Sequence, residues 1–544
     1  MKKQLASSIP LRSLVVAVAL AWLVPVSSGA EGAPSLDGLG DVVARVLDEL
    51  DVPGIAVGVV KDGEVVLARG FGARRVGDPA PVDGETRFGI ASNSKAFTCA
   101  ALSILVEEGK LQWDDPVTRH LPELQMHDPW VSREITVRDL VTHRAGLGLG
   151  QGDLMWWPPT DHTRAEIIGA VRHLKPATSF RSRYAYNNVM YITAGEVVAR
   201  VSGQSWRQFV QKRILEPVGM AQTVTSAADP GPDDNVAAPH VHVGGEVKPI
   251  RLMSFGNAAG AVGINSSAAE MALWIRMLLE CAREGEAKEG EAPEGRTCVL
   301  EPDSIQQMWS PQTIMSTPEL PGALAALESD FAAYGLGFRV QEYRGRKILT
   351  HGGGLPGYVS RVTLVPDERL GIVVLTNQES GTAFNTVTQF VLDAHLGPPE
   401  PPVDWLEAFR SVEAGRRAKA EAKVRRDAEA RDETSRPSLP LSGYAGEYQD
   451  PWYGEARISE GAEGLVLDMT RTPGMLADLE HWQHDTFVAR WRETWMSDHS
   501  PYDAYVSFAL NPDGSIREMT MKPVSSVIDF SFDFADLLFR PVPR

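Results

Sequence analysis

The chain has 544 residues, 43% hydrophobic and 23% charged, an ordinary globular composition with room for two or more domains. Acidic residues outnumber basic ones 71 to 53, and the formal charge of −18 argues against polyanion partners, nucleic acid and anionic lipid alike.

Residues 1–30 read as a secretory signal peptide. Lys2, Lys3 and Arg12 lead, an apolar run from Leu14 to Val26 follows, and Ser28-Gly29-Ala30 close it. Cleavage near Ala30 is expected and leaves no stable membrane span, because the run is shorter than the ~20 residues a span needs. The competing reading is an uncleaved anchor. Export, to the periplasm or beyond the cell, places the three cysteines in an oxidising compartment. Cys281 and Cys298 flank a charged, Gly-rich loop that a disulfide could tie, against the alternative of two free thiols. Cys99 reads as a packing residue.

"IAVGVVKDGEVVLARGFG", Ile55 to Gly72, is a β-hairpin about Asp62-Gly63, and a second pair of β-rich runs turns at Pro366-Asp367. Between them helical periodicity dominates, so the ends of the region are expected to meet in one antiparallel sheet with helices around it. From Ser92 to Glu108 the chain is apolar on all faces, which predicts a buried helix with Ser92 in its first turn and Gly109 at its end. A Pro-rich break, a charged helix and a second Pro-rich break make residues 398–438 a linker. Residues 439–544 alternate with turns such as Asn511-Pro512-Asp513-Gly514, which predicts a small antiparallel sheet curled into a barrel.

The chemistry concentrates at Ser92 and Lys95, the only Ser-x-x-Lys in the chain. Residues three apart share a helix face, and apolar surroundings favour the neutral amine, so Lys95 can serve as general base to the Ser92 hydroxyl. The bland alternative is a lysine snorkelling from an ordinary helix. Two further places add weight: Tyr186 and Asn188 stand just before another apolar helix, and His351 precedes Gly352, Gly353 and Gly354 at the edge of the second hairpin.

These three motifs, in this order, resemble the serine β-lactamase and penicillin-binding family, most closely its class C-like branch with D,D-peptidases, D-aminopeptidases and family VIII-type esterases. The segments 110–124, 135–147 and 258–279 are also similar to that family, and the resemblance spans roughly residues 36 to 395. The C-terminal region resembles a domain of unknown function appended to such hydrolases. The resemblance implies an α/β (α+β) β-lactamase/transpeptidase-like fold over residues 31–397, with a helical subdomain and the site in the cleft between. It implies Ser92 as acylated nucleophile, Lys95 and Tyr186 sharing the proton work, and Asn188 holding Lys95 and the substrate amide. His351 would bind the phenol or a substrate carboxylate, and Gly353 and the N–H groups of Ser92 and Gly354 would line an oxyanion hole. His351-Gly352-Gly353 stands where class C β-lactamases carry Lys-Thr-Gly, and the missing cation and hydroxyl argue against efficient β-lactam hydrolysis. A small-molecule or short-peptide ester or amide substrate is expected, with no cofactor; the rival is a penicillin-binding sensor with little turnover.

Other residues tempt less. His240-Val241-His242 suits a strand, and with His481 and His484 it lacks carboxylates at ligand spacing, so no metal is expected. Trp156 and Trp157 either wall the substrate pocket or cover the core.

Overall fold

A computed structural model describes residues 36–543 apart from 227–230, 232–233, 284–296, 462–463 and 499. The expected signal peptide lies outside the described residues. Among those described, no helix is long and apolar enough to cross a membrane.

Helix α1 (Leu39–Glu49) leads into β1 (Gly54–Lys61) and β2 (Glu64–Gly72), whose turn places Asp62 and Gly63 both at positive φ, as a tight hairpin of this hand requires. The long excursion that follows contributes α2 (Ser94–Glu107), α3 (Asn188–Ser202) and α4 (Ala268–Cys281). Strands β3 (Thr313–Met315), β4 (Ala332–Tyr334), β5 (Arg339–Tyr343), β6 (Arg346–Leu355), β7 (Tyr358–Val365) and β8 (Leu370–Thr376) then complete an eight-stranded sheet in the order β2-β1-β8-β7-β6-β5-β4-β3. All its neighbours are antiparallel, and β1 meets β8 in register from Ile55 opposite Thr376 to Lys61 opposite Leu370. The two hairpins therefore share one sheet, as their sequence predicts.

Strands β1 and β8 are apolar up to their last residues, Lys61 and Thr376, because both faces are covered. On one face α1 and α5 (Gly381–Leu396) bury Val43, Val46, Val387 and Val391 against Ile55, Val57, Ile372 and Val374. On the other, α4 packs so closely that a Cβ at Gly58 would meet the Ala268 carbonyl. Cys281, ending α4, is disulfide-bonded to Cys298, with Cα atoms 5.7 Å apart.

Helix α6 (Trp405–Glu429) occupies most of the charged stretch expected to be solvated. Its first turns are not: Trp405, Leu406 and Ala408 are buried, and the Trp405 indole donates to Asp393 of α5 at 2.6 Å. Ion pairs Arg45–Asp404 and Arg410–Glu49 tie the same end to α1. The helix is a brace before it is a linker. Beyond it β9 (Gly446–Asp450), β10 (Gly454–Gly461), β11 (Gly464–Asp468), β12 (Leu476–Gln483), β13 (Thr486–Trp491), β14 (Ala504–Leu510), β15 (Ile516–Pro523) and β16 (Leu538–Pro541) close into an antiparallel barrel, β9 pairing with β16. Alternation sends Tyr448, Phe487, Phe508 and Phe539 inward.

Candidate active site

The turn that carries Ser92 is shaped by what surrounds it. Ser92 does not lie in α2, as the sequence suggests, but in a 3₁₀ turn, Ala91–Asn93, just ahead of it. Ala91 sits at φ 50°, a left-handed conformation that costs an L-residue ~1–2 kcal/mol. The surroundings hold it there. Asn93 donates to Ser360 Oγ at 2.8 Å, and Ser360 donates onward to the Ile90 carbonyl at 2.8 Å, so the turn is sewn to β7. Strand β6 lies against it through Gly353, where a Cβ would stand 2.4 Å from the Ile90 oxygen and 3.0 Å from the Ala91 methyl. Only a glycine admits this approach. Gly353→Ala is therefore expected to push β6 and the serine turn apart, lowering the melting temperature by several degrees and labelling of Ser92 by at least ~10-fold, since overpacking of this kind costs ~1–3 kcal/mol. A thermal melt and an active-site titration check both.

Lys95 is fully buried in the first turn of α2. Its Nζ donates to Ser92 Oγ at 3.0 Å, to Asn188 Oδ1 at 2.7 Å and to the Ala261 carbonyl at 3.2 Å, and it stands over the rings of Tyr186 (4.8 Å) and Tyr191 (5.3 Å). Burial pushes its pKa down to about 7, with Asp153 opposing. The amine thus titrates near neutrality, and the hydroxyl it faces is one turn away.

Asn188 opens α3, so its amide is fixed by the helix start, where the preceding Asn187 caps the Met190 N–H. Its Nδ2 donates to Asp153 Oδ2 at 2.7 Å. Asp153 is fully buried, and burial raises its carboxyl to about 7 against the hydrogen bonds from Trp156, Asn188 and Ser531. Tyr186 lies between Ser92 and His351, its hydroxyl 3.3 Å from His351 Nε2. Burial keeps its phenol protonated, far above the usual value. His351 Nδ1 faces the Gly337 carbonyl at 2.7 Å and must donate to it, which leaves Nε2 to accept the Tyr186 O–H at 3.3 Å. Burial, then the nearby Lys95, pushes His351 down to about 3. It is a neutral ring at any ordinary pH.

Residues 351–355 of β6 lie beyond the Thr350–Arg339 pair that ends its register with β5. Nothing lies within 4 Å of a Cβ at Gly354, so the strand is open there. The structure thus brings Ser92, Lys95, Tyr186, Asn188, His351 and Gly353 into one cluster, with Gly354 on the open side.

Sequence reasoning missed Asp153 and His143. Asp153 sits in "GDLMWW", a stretch with no motif. His143, at φ 55°, packs its ring 4.3 Å from that of Tyr186 and accepts from the Asn187 N–H at 3.1 Å. Trp156 and Trp157, left between two roles by the sequence, are buried against Phe255 and belong to the core. His240 is in a strand, His240–Val243, as expected, its ring held by the Val76 N–H and the Asn377 carbonyl. His481 Nε2 meets the His484 carbonyl.

The loop bearing Tyr184–Asn188 hangs on a buried carboxylate. Asp139 is fully buried, capped by the Thr136 N–H at 2.9 Å and held by Arg144 at 2.6 Å and Arg181 at 2.6 Å. Burial alone would raise its carboxyl, but these hydrogen bonds hold it below the ordinary value of 3.8. The sign follows: its contribution is present above the unfolded pKa and lost as pH falls through the folded one. Asp139→Asn leaves two arginines facing a neutral amide and is expected to destabilise the fold by ~3–5 kcal/mol, with the acid limb of the stability profile flattened. Denaturant unfolding at pH 3–7 measures this.

Comparison with known proteins agrees with the geometry. The family model "Beta-lactamase" matches residues 39–396, and "Domain of unknown function (DUF3471)" matches residues 430–541. The chain is 26% identical over 510 residues to the unguisins hydrolase ungD′ of Aspergillus campestris, covering 89% of each chain. It is 30% identical over 187 residues to Protein flp of Staphylococcus aureus, covering 34% of this chain and 36% of that one. Among solved structures, the octameric penicillin-binding protein homologue from Pyrococcus abyssi superposes with a TM-score of 0.58 at 22% identity, over 92% of this chain and 98% of that one. The class C β-lactamase from Rhodobacter sphaeroides gives 0.52 at 21% identity, over 66% and 99%. Fold, motif order and family model converge: the chain belongs to the Beta-lactamase family of serine hydrolases, its C-terminal barrel formed by the DUF3471 region.

Proposed function

We propose that the protein is an exported serine hydrolase that forms an ester on Ser92 and cleaves a carboxylic ester or an amide, the latter a D-amino-acid amide or short peptide. One observation carries this reading: the fully buried Lys95 amine lies 3.0 Å from Ser92 Oγ, where burial pushes its pKa down to about 7. In the neutral form it takes the Ser92 proton as Oγ attacks the carbonyl carbon, and the ammonium is received by Asn188 Oδ1 and the Ala261 carbonyl. The N–H groups of Ser92 and Gly354 receive the oxyanion, worth on the order of 3 kcal/mol each. Tyr186, protonated and beside Ser92, gives the leaving group its proton and is restored from Lys95. Water then hydrolyses the ester by the reverse relay.

The neutral His351 supports uncharged substrates over β-lactams. A β-lactam carboxylate needs a fixed cation on this strand, and an imidazole pushed to about 3 offers none. Uncharged esters and amides ask only for the hydrogen-bonding edge of β6. The name of the fungal relative, a hydrolase, supports turnover over a sensor. The charge order of residues 1–30 supports export.

The test is a panel of short-chain p-nitrophenyl esters, D-aminoacyl p-nitroanilides, a D-Ala-D-Ala peptide and a chromogenic cephalosporin. Turnover of an ester or D-aminoacyl amide at least ~100-fold above the cephalosporin is expected. Labelling of Ser92 by a fluorescent penicillin without turnover of any panel member would establish the sensor instead.

A further inference from the structure

The barrel reaches into the site. Between β15 and β16 the chain leaves the barrel after Pro523 and returns at Leu538. Two aromatics staple this loop to the barrel, Phe532 stacked on Tyr502 (4.8 Å) and Phe534 on Trp491 (5.9 Å). From that base Phe530, Ser531 and Asp533 each reach the hydrolase domain. Phe530 closes on Gly150, where a Cβ would stand 2.5 Å from the Phe530 carbonyl and 2.7 Å from its ring; Gly150 is at φ 66° and donates its N–H to the Tyr186 carbonyl at 3.0 Å. Ser531 Oγ donates to Asp153 Oδ2 at 2.9 Å. Asp533 accepts the Gly152 N–H at 2.8 Å.

Two of these contacts lead to the chemistry. Asp153 Oδ2 also takes the Asn188 amide, whose oxygen holds Lys95, so an unbroken line runs Ser531, Asp153, Asn188, Lys95, Ser92. The Phe530 ring stands edge-on to Tyr186 with centroids 5.9 Å apart, and it is 41% exposed, which leaves an apolar face open beside the catalytic cluster. Leu149, 57% exposed, adjoins Gly150 on the same rim. An apolar surface left open beside a nucleophile fits an apolar group of the substrate.

We propose that the β15–β16 loop of the barrel completes the active site: Ser531 is a positioning residue that fixes Asp153 beneath the Lys95 relay, and Phe530 is the wall that reads the apolar group of the acyl donor. This rests on the acyl-enzyme reading of Ser92. The barrel is then a specificity element of the hydrolase and not a separate module.

The charged and titratable groups around the relay limit what a change at Ser531 can do. Asp153, Cys99, His143, His351, Tyr186 and Tyr191 face Lys95, while Lys95, Tyr186 and Asp533 face Asp153. Ser531 touches Asp153 in this set and, within its own loop, Asp529, whose carboxylate also accepts the Ser531 N–H at 2.8 Å. Ser531→Ala removes a donor from the carboxylate, which raises its proton affinity, withdraws negative charge from Lys95 and lowers the lysine's own affinity for a proton.

The experiment uses the full chain and a neutral fluorophosphonate, and follows the first-order rate constant of Ser92 labelling from pH 5 to 9, the labelled amount in each variant scaled to its own end-point so that the folded fraction drops out. Ser531→Ala is expected to move the midpoint to lower pH and to lower the plateau rate ~3- to 10-fold, and Ser531→Thr, which keeps the hydroxyl, to restore both. Phe530→Ala is expected to lower kcat/KM for the p-nitrophenyl octanoate ester at least ~10-fold more than for the acetate, the scale of several buried methylenes. A wild-type midpoint in Ser531→Ala together with an unchanged octanoate-to-acetate ratio in Phe530→Ala would overturn the proposal while leaving the acyl-enzyme intact. A wild-type chain that is not labelled at any pH would overturn the acyl-enzyme itself and the proposal with it.

Discussion

Ser92→Ala is expected to abolish turnover of every substrate the wild type accepts, by on the order of 10⁴-fold or more, and to abolish covalent labelling entirely. The wild type treated with a fluorophosphonate should gain one adduct, mapped by peptide mass spectrometry to the segment containing Ser92. Stability should change little. The hydroxyl is small, and its loss leaves the Lys95 amine still held by Asn188 and the Ala261 carbonyl. A melting temperature close to wild type with activity gone separates chemistry from folding. Residual turnover within 10-fold of wild type would mean that another group is the nucleophile.

Lys95→Met should cost ~100- to 10,000-fold in the rate of Ser92 acylation, the range that a positioned general base supplies. The wild-type rate should also rise with pH through about 7, because only the unprotonated amine can accept the Ser92 proton and burial sets its titration there. Linkage gives a second reading of the same group. A lysine whose folded pKa is depressed binds fewer protons folded than unfolded, so its burial costs stability most fully below about pH 7, and that cost is relieved as pH rises towards the ordinary value of 10.5. In Lys95→Met the pH dependence of acylation should vanish along with its rate, and the alkaline rise in stability should flatten. Stopped-flow labelling and urea unfolding at pH 6, 8 and 10 measure the two effects.

Much of this was legible before any fold. Asp62-Gly63 announced a hairpin because only a few residue types tolerate consecutive left-handed dihedrals, and the apolar run after Ser92 announced a buried helix because no face of it could meet water. The order of Ser92 to Lys95, Tyr186 to Asn188 and His351 to Gly353 then carried the site, since each pair fixes a local geometry that sequence spacing reports. What the sequence could not report were contacts made across hundreds of residues. Asp153 carries no motif, and its importance comes from Asn188, 35 positions away, and from Ser531, 378 positions away. His143 likewise matters through a tilted ring contact with Tyr186, 43 positions away. The place of Ser92 in a strained turn ahead of the helix, and the partial burial of α6, depend on β6, β7 and α5 packing against them, and composition alone reads those segments as ordinary helix.

The same contrast explains the substitution of a neutral imidazole for a cation on β6. A histidine in a hairpin edge reads as titratable, yet the Gly337 carbonyl fixes its tautomer and burial removes its charge, so the ring meets Tyr186 as a neutral acceptor.

The central claim is that the Lys95 amine is neutral near physiological pH and faces Ser92. Selective ε-¹³C labelling of lysine, with the Lys95 resonance identified by its absence from Lys95→Met, measures this directly. A titration midpoint near 7 that shifts on phosphonylation of Ser92 is the result expected; a midpoint near 10.5, indifferent to the adduct, would contradict the account.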